Sequence, residues 1–163
     1  MRRTLVSTTL LAACVILIAL VYTRAEFFPV SAPQNSGSPS TRTVQVGGQT
    51  VVVFVVDTDA ARAKGLGGRA GLARGEGMLF IFPRDGMYGF WMKDMHFAID
   101  ILWLADDPSS PSGQAVIVSM AQNVSPDTYP RDFLPSRPAR YVLELPAGFT
   151  EEYTVKVGDL VRL

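Results

Sequence analysis

The chain has one cysteine, one histidine and no net charge. With Cys14 alone, no intrachain disulfide can form, and because Cys14 lies in the apolar N-terminal stretch the remainder carries no thiol chemistry. A lone His96 excludes a zinc site built on paired histidines. Fifteen basic residues balance fifteen acidic ones without a basic stripe, which excludes the electrostatic footprint of a nucleic-acid binder. There is no nucleophile elbow, phosphate loop or dinucleotide fingerprint, and no cofactor is implied.

What is present begins with a targeting pattern. Met1, Arg2 and Arg3 form a basic head, and Thr4 to Tyr22 contains no charged residue, with Leu10 to Val21 its densest apolar part. This predicts that residues 1–25 are a signal anchor or a signal peptide, that the membrane is engaged through residues 4–22, and that the rest of the chain lies on the extracytoplasmic side. Length favours a retained N-terminal membrane helix, whereas Thr23-Arg24-Ala25 before Glu26 fits cleavage loosely. Leu11-Ala12-Ala13-Cys14 resembles a bacterial lipoprotein box, but the most apolar residues, Val15 to Val21, follow the cysteine where a polar tether belongs.

Residues 26–43 include PVSAPQNSGSPSTRT, the Pro/Ser/Gly composition of a flexible linker. Residues 44–163 then form a single β-rich domain, roughly 120 residues and long enough for one core. Gly47-Gly48 between Val44–Val46 and Thr50–Val56 predicts a tight hairpin. A helix at Asp59 to Lys64, capped by Asp57 or Thr58, stops at Gly65. The glycine-rich run after it reads as a loop wrapping the sheet. Strands are expected at Gly77–Phe82, Met87–Met92, Phe97–Leu104, Ala115–Ala121, Ala139–Leu145 and Asp159–Leu163, with a second short helix near Thr150 to Tyr153. The fold class is therefore all-β with one or two short helices, a compact antiparallel β-sandwich or partly closed barrel. The long connection Gln122 to Pro138, broken by Pro126, Pro130 and Pro135, is expected to cover a site.

The candidate site lies between apolar strands, in Gly77 to Leu104. Read as one continuous strand, Phe90 to Leu104 puts Asp94, His96 and Asp100 on one face and the mainly apolar Trp91, Lys93, Met95, Phe97, Ile99, Ile101 and Trp103 on the other. Such alternation is also ordinary for a half-buried strand. Arg69, Trp91, Lys93, Asp94, His96 and Asp100 are the candidate ligand-binding residues, an apolar groove with cationic ends fitting a small ligand or an envelope protein. Arg69 has a competing structural role as a salt bridge to Asp100 or Glu144, and the backbone N–H groups of its glycine-rich loop are expected to assist it in binding. Met92, Met95 and His96 offer ligands that suit Cu(I), but only a local turn at Lys93-Asp94 would bring the two thioethers together. A hydrolase reading needs Asp94 and His96 beside a hydroxyl such as Ser125, Tyr129 or Ser136. The binding module asks least of the residues and is the expectation, without catalysis.

Ala63-Lys64-Gly65-Leu66 with Arg69, Gly77-Met78-Leu79-Phe80 with Phe82, Phe90-Trp91-Met92-Lys93 leading to Asp100-Ile101, Pro138 through Leu145, and Gly158-Asp159 together resemble the exported proteins of domain of unknown function 192. The resemblance runs from about Thr43 to Leu163 and implies a compact β-rich domain behind a signal peptide or anchor, with no particular activity or cofactor. Relatives commonly carry Asn at the place of Asp94, a different residue at His96 and a bulkier pair at Gly67-Gly68. The polar tip after Lys93 is therefore where analogy carries least.

Overall fold

The computed structural model describes residues 40–110 and 114–163, and the predicted signal segment, residues 1–25, lies outside them. Among the described residues no helix is long and apolar enough to cross a membrane. Seven strands close into a barrel: β1 (Thr41–Val46), β2 (Gln49–Val56), β3 (Glu76–Gly86), β4 (Ile99–Asp106), β5 (Gln114–Val124), β6 (Ala139–Pro146) and β7 (Leu160–Arg162). Around the barrel the order is β1-β2-β3-β6-β4-β5-β7, and β7 returns to β1 through Gln45 opposite Arg162.

The β1–β2 hairpin turns at Gly47 and Gly48, with φ of 56° and 74°, a conformation that residues with a Cβ rarely adopt. Helix α1 (Asp59–Lys64) is capped by Thr58, whose hydroxyl accepts from the Ala61 N–H at 3.2 Å, and it ends at Gly65 with φ 49°. Helix α2 (Phe149–Glu152) closes one end of the barrel, with Phe149 packed into the interior apolar cluster.

Three expectations are corrected. The all-β barrel is as expected and is fully closed, but it is not wholly antiparallel: α1 and the glycine-rich loop carry the chain back so that β3 runs parallel to β2, Val52 opposite Glu76. Strand β1 begins at Thr41, inside the stretch read as linker. Met87–Met92 is not a strand. After Gly86 the chain leaves the sheet, held by a single bridge between Phe90 and Phe133 and by Trp103 Nε1, which donates to the Tyr88 carbonyl at 2.8 Å.

Two apolar layers follow from the strand alternation. Leu79, Leu102, Leu104, Leu143 and Leu145 point into the barrel, with Val44, Val53, Ile117 and Val161. Met78, Phe80, Ile99, Ile101, Trp103 and Val142 point outward from β3, β4 and β6 into a second cluster that also contains Leu66 and Met92. The loop after α1 and the irregular segment after β3 form the cover of that outer layer.

Candidate functional site

The alternation of β6 sends Leu143 and Leu145 inward, so Glu144 points outward, beneath the cover. It stands opposite Met78 of β3 and Ile101 of β4 and is only 5% exposed. A carboxyl so placed needs partners, yet its Oε2 has none. Burial pushes its pKa up to about 8, with no positive charge offsetting the shift, so near neutral pH it is mainly an un-ionised acid able to donate through its hydroxyl.

Glu144 lines a cavity of about 700 Å3. The walls come from α1 and its following loop (Arg62, Lys64, Leu66), from β3 (Phe80, Phe82) and from the segment after it (Tyr88, Phe90, Trp91, Lys93, Asp94, Met95). The cover is drawn tight where a Cβ at Gly67 would lie 3.0 Å from the Lys64 carbonyl oxygen and 3.5 Å from that of Lys93. The Gly68 N–H then donates to the Asp94 carbonyl at 2.9 Å, joining the two covering segments. Arg62 is committed to the frame: Nη1 donates to the carbonyls of Asp57 and Ile81 at 2.6 and 2.7 Å, and the guanidinium lies 5.1 Å from the Phe82 ring centre. Phe82 stacks on Tyr88 at 3.5 Å, and Phe80 meets Phe90 edge to face at 4.8 Å.

Of the residues singled out in the sequence, Trp91, Lys93 and Asp94 share this cavity. Trp91 is 54% exposed and meets Tyr129 edge-on at 6.1 Å. The other three lie elsewhere. Arg69 stacks over Phe54 at 4.2 Å rather than bridging Asp100 or Glu144, and the N–H groups of Gly67, Gly68 and Arg69 donate to backbone carbonyls of the covering segments. His96 is exposed and off the lining. Asp100 is 0% exposed and ties β4 to the α2 end of the barrel: Oδ2 accepts from the Thr150 N–H at 2.8 Å and hydroxyl at 2.7 Å, and Oδ1 from the Asn123 N–H at 2.8 Å and the Gly148 N–H at 3.4 Å. The single face assumed for Asp94, His96 and Asp100 is broken by a turn, with the Met95 N–H donating to the Met92 carbonyl at 3.3 Å and Asp94 at φ 58°.

That turn is the one a copper site would need. Yet Met92 is buried in the outer apolar layer, Met95 lines the cavity and His96 is exposed off it, three different surroundings. Among the described residues no group of three or more His, Cys, Asp or Glu side chains is placed to hold a metal. The hydroxyls of the hydrolase reading are dispersed as well. Ser125 caps a 3-10 turn at Pro126–Thr128, and the Ser136 hydroxyl donates to the Val118 carbonyl at 3.1 Å. The long 122–138 connection flanks the site through Tyr129 and Phe133 but does not line the cavity.

The fold and site define a small closed β-barrel with a covered cavity on the outside of its wall. The chain belongs to the family described as Uncharacterized ACR, domain of unknown function 192, which matches residues 42–163. Two solved structures share the fold. One, from Sinorhizobium meliloti 1021 and provisionally described as a transcription regulator, is 28% identical with a TM-score of 0.67, covering 77% of this chain and 95% of its own. The other, a protein of unknown function from Novosphingobium aromaticivorans DSM 12444, is 26% identical with a TM-score of 0.67, covering 81% of this chain and 91% of its own. No curated protein matches the chain.

Proposed function

We propose that the barrel is a non-catalytic ligand-binding module of the cell envelope, held at the membrane by residues 4–22, and that its ligand occupies the cavity between the outer face of β3 and β6 and the covering segments. The observation that carries this is Glu144, a buried carboxyl with an unpartnered oxygen facing a cavity of ligand size. Leaving a buried polar group unpaired costs on the order of 1–3 kcal/mol, a cost a purely structural position has no reason to bear. A ligand that hydrogen-bonds to Glu144 removes it. Catalysis is not favoured, because among the described residues neither the Asp94 carboxyl nor the His96 imidazole has a hydrogen-bond partner to orient it as an acid or base.

The test is native mass spectrometry of the full chain purified from its expression host, beside an Ala63→Trp variant that fills the cavity mouth, where Ala63 is exposed on the lining. A bound mass on the wild type, absent from an equally stable variant, is the expected result. A bound mass retained by the variant would place the ligand elsewhere. No bound mass on either protein, with unchanged unfolding temperature, would count against a resident ligand.

A further inference from the structure

Resting on the ligand-binding reading of this cavity, we infer that its occupant is a small organic anion with a planar apolar body, whose charged group meets Lys64 and Lys93 at the mouth and whose far end presents an oxygen acceptor to the Glu144 carboxyl.

Three observations select that chemistry over a cationic ligand. The first is the charge at the mouth. Lys64 and Lys93 are exposed on the lining and neither is in an ion pair among the described residues, whereas the charge of Arg62 is matched by Asp59 at 2.5 Å. Asp94, also on the lining, offsets one of the two lysines and leaves the mouth net positive. An approaching anion is drawn in and a cation is opposed.

The second is the set of the rings. A cation needs free aromatic faces, where the π density is negative. The Phe82 ring is in contact with Tyr88, stacked at 3.5 Å, and with the Arg62 guanidinium. Phe80 and Phe90 are perpendicular at 4.8 Å, and Phe90 is perpendicular to Trp103 at 6.1 Å. In each edge-to-face pair one ring gives a face to the other's edge, so those faces are not free for a cation. Trp91, half exposed at the mouth, gives a planar body a ring surface to lie on, and there the charge of Lys93 on the same lining, not the ring, disfavours a cation.

The third is Glu144 itself. Its desolvation and the absence of a neighbouring cation keep the proton on, so it serves the ligand as a hydrogen-bond donor. The other titratable or charged groups of the lining, Arg62, Lys64, Tyr88, Lys93 and Asp94, all belong to α1 and the segment after β3, and the strand neighbours Met78 and Ile101 do not titrate.

Calorimetric titration of the full chain with 4-hydroxybenzoate, 4-hydroxybenzylamine and 4-hydroxybenzyl alcohol compares anion, cation and neutral forms of one ring. The carboxylate is expected to bind more tightly than the other two, with Lys93→Ala weakening it roughly fivefold. Its affinity holds up to about pH 7 and falls as pH rises through about 8, where Glu144 ionises; Glu144→Gln, which keeps a donor of the same shape, removes that fall and so separates Glu144 from the other titrating groups. Thermal unfolding of both variants checks that each is folded. Tighter binding of the amine would overturn the anionic class. Equal binding of all three would overturn charge selection while leaving the cavity a ligand site. Binding of none would overturn this ligand class, and a copurifying mass in the native spectrum would still show whether the cavity is occupied.

Discussion

Asp100 and Glu144 are buried carboxyl side chains in directly neighbouring strands, but Asp100 accepts four hydrogen bonds whereas Glu144 Oε2 accepts none. Asp100 is therefore a structural residue. Replacing it with Ala leaves the Thr150 hydroxyl proton and three backbone N–H groups without an acceptor, and is expected to cost about 3 kcal/mol in urea unfolding without altering ligand binding. Glu144 acts in the opposite sense on stability. The unfolded chain ionises this group near pH 4.5, while the folded protein keeps its proton to about pH 8. The folded state thus holds more protons between those values, and stability falls as pH rises across that window, then levels off. The fall is expected to reach about 5 kcal/mol and to be missing from Glu144→Gln when urea unfolding is repeated at a series of pH values.

At the scale of elements, the site depends on how closely β3 and β6 approach and on where the chain leaves β3. A Cβ at Gly77 would lie 2.8 Å from the Glu144 carbonyl oxygen and 3.0 Å from Leu145 Cδ2, both fixed in the barrel wall. Gly77→Ala is expected to destabilise by about 2 kcal/mol and to loosen Glu144 with it, seen as a lower unfolding midpoint and weaker ligand retention. Elements governed by local signals were readable in the sequence: paired glycines set the β1–β2 turn, and Thr58 and Gly65 bound α1. The 87–98 segment was not, because its path is set by distant partners, Trp103 reaching the Tyr88 carbonyl and Phe133 pairing with Phe90. Carrying a two-residue period through that segment sets Asp100 and His96 on one face with Asp94, whereas the turn at Met92 to Met95 separates them and leaves both off the cavity lining. Trp91, Lys93 and Asp94 fall together on the cavity lining because they cluster at the tip of the covering segment itself. Glu144 reads only as a possible partner for Arg69 or a candidate acid, because nothing local in the apolar run Tyr141 to Leu145 says that the outer face of β6 is covered.

At the scale of the whole molecule, the interior of the closed barrel has its own apolar cluster, distinct from the outer layer that carries the cavity. That separation lets the outer layer carry a poorly satisfied carboxyl at a modest cost to the fold, as functional positions often do. In the proposed function, Glu144 is held for a ligand rather than for the barrel. The most direct measurement is the unfolding free energy of Glu144→Leu against the wild type near pH 7.5, without added ligand. An apolar side chain of similar size removes an unpaired buried group, and a gain of about 2 kcal/mol is expected. A loss of about 1 kcal/mol or more would show that the carboxyl has partners within the fold, and would contradict its assignment as a ligand-binding group.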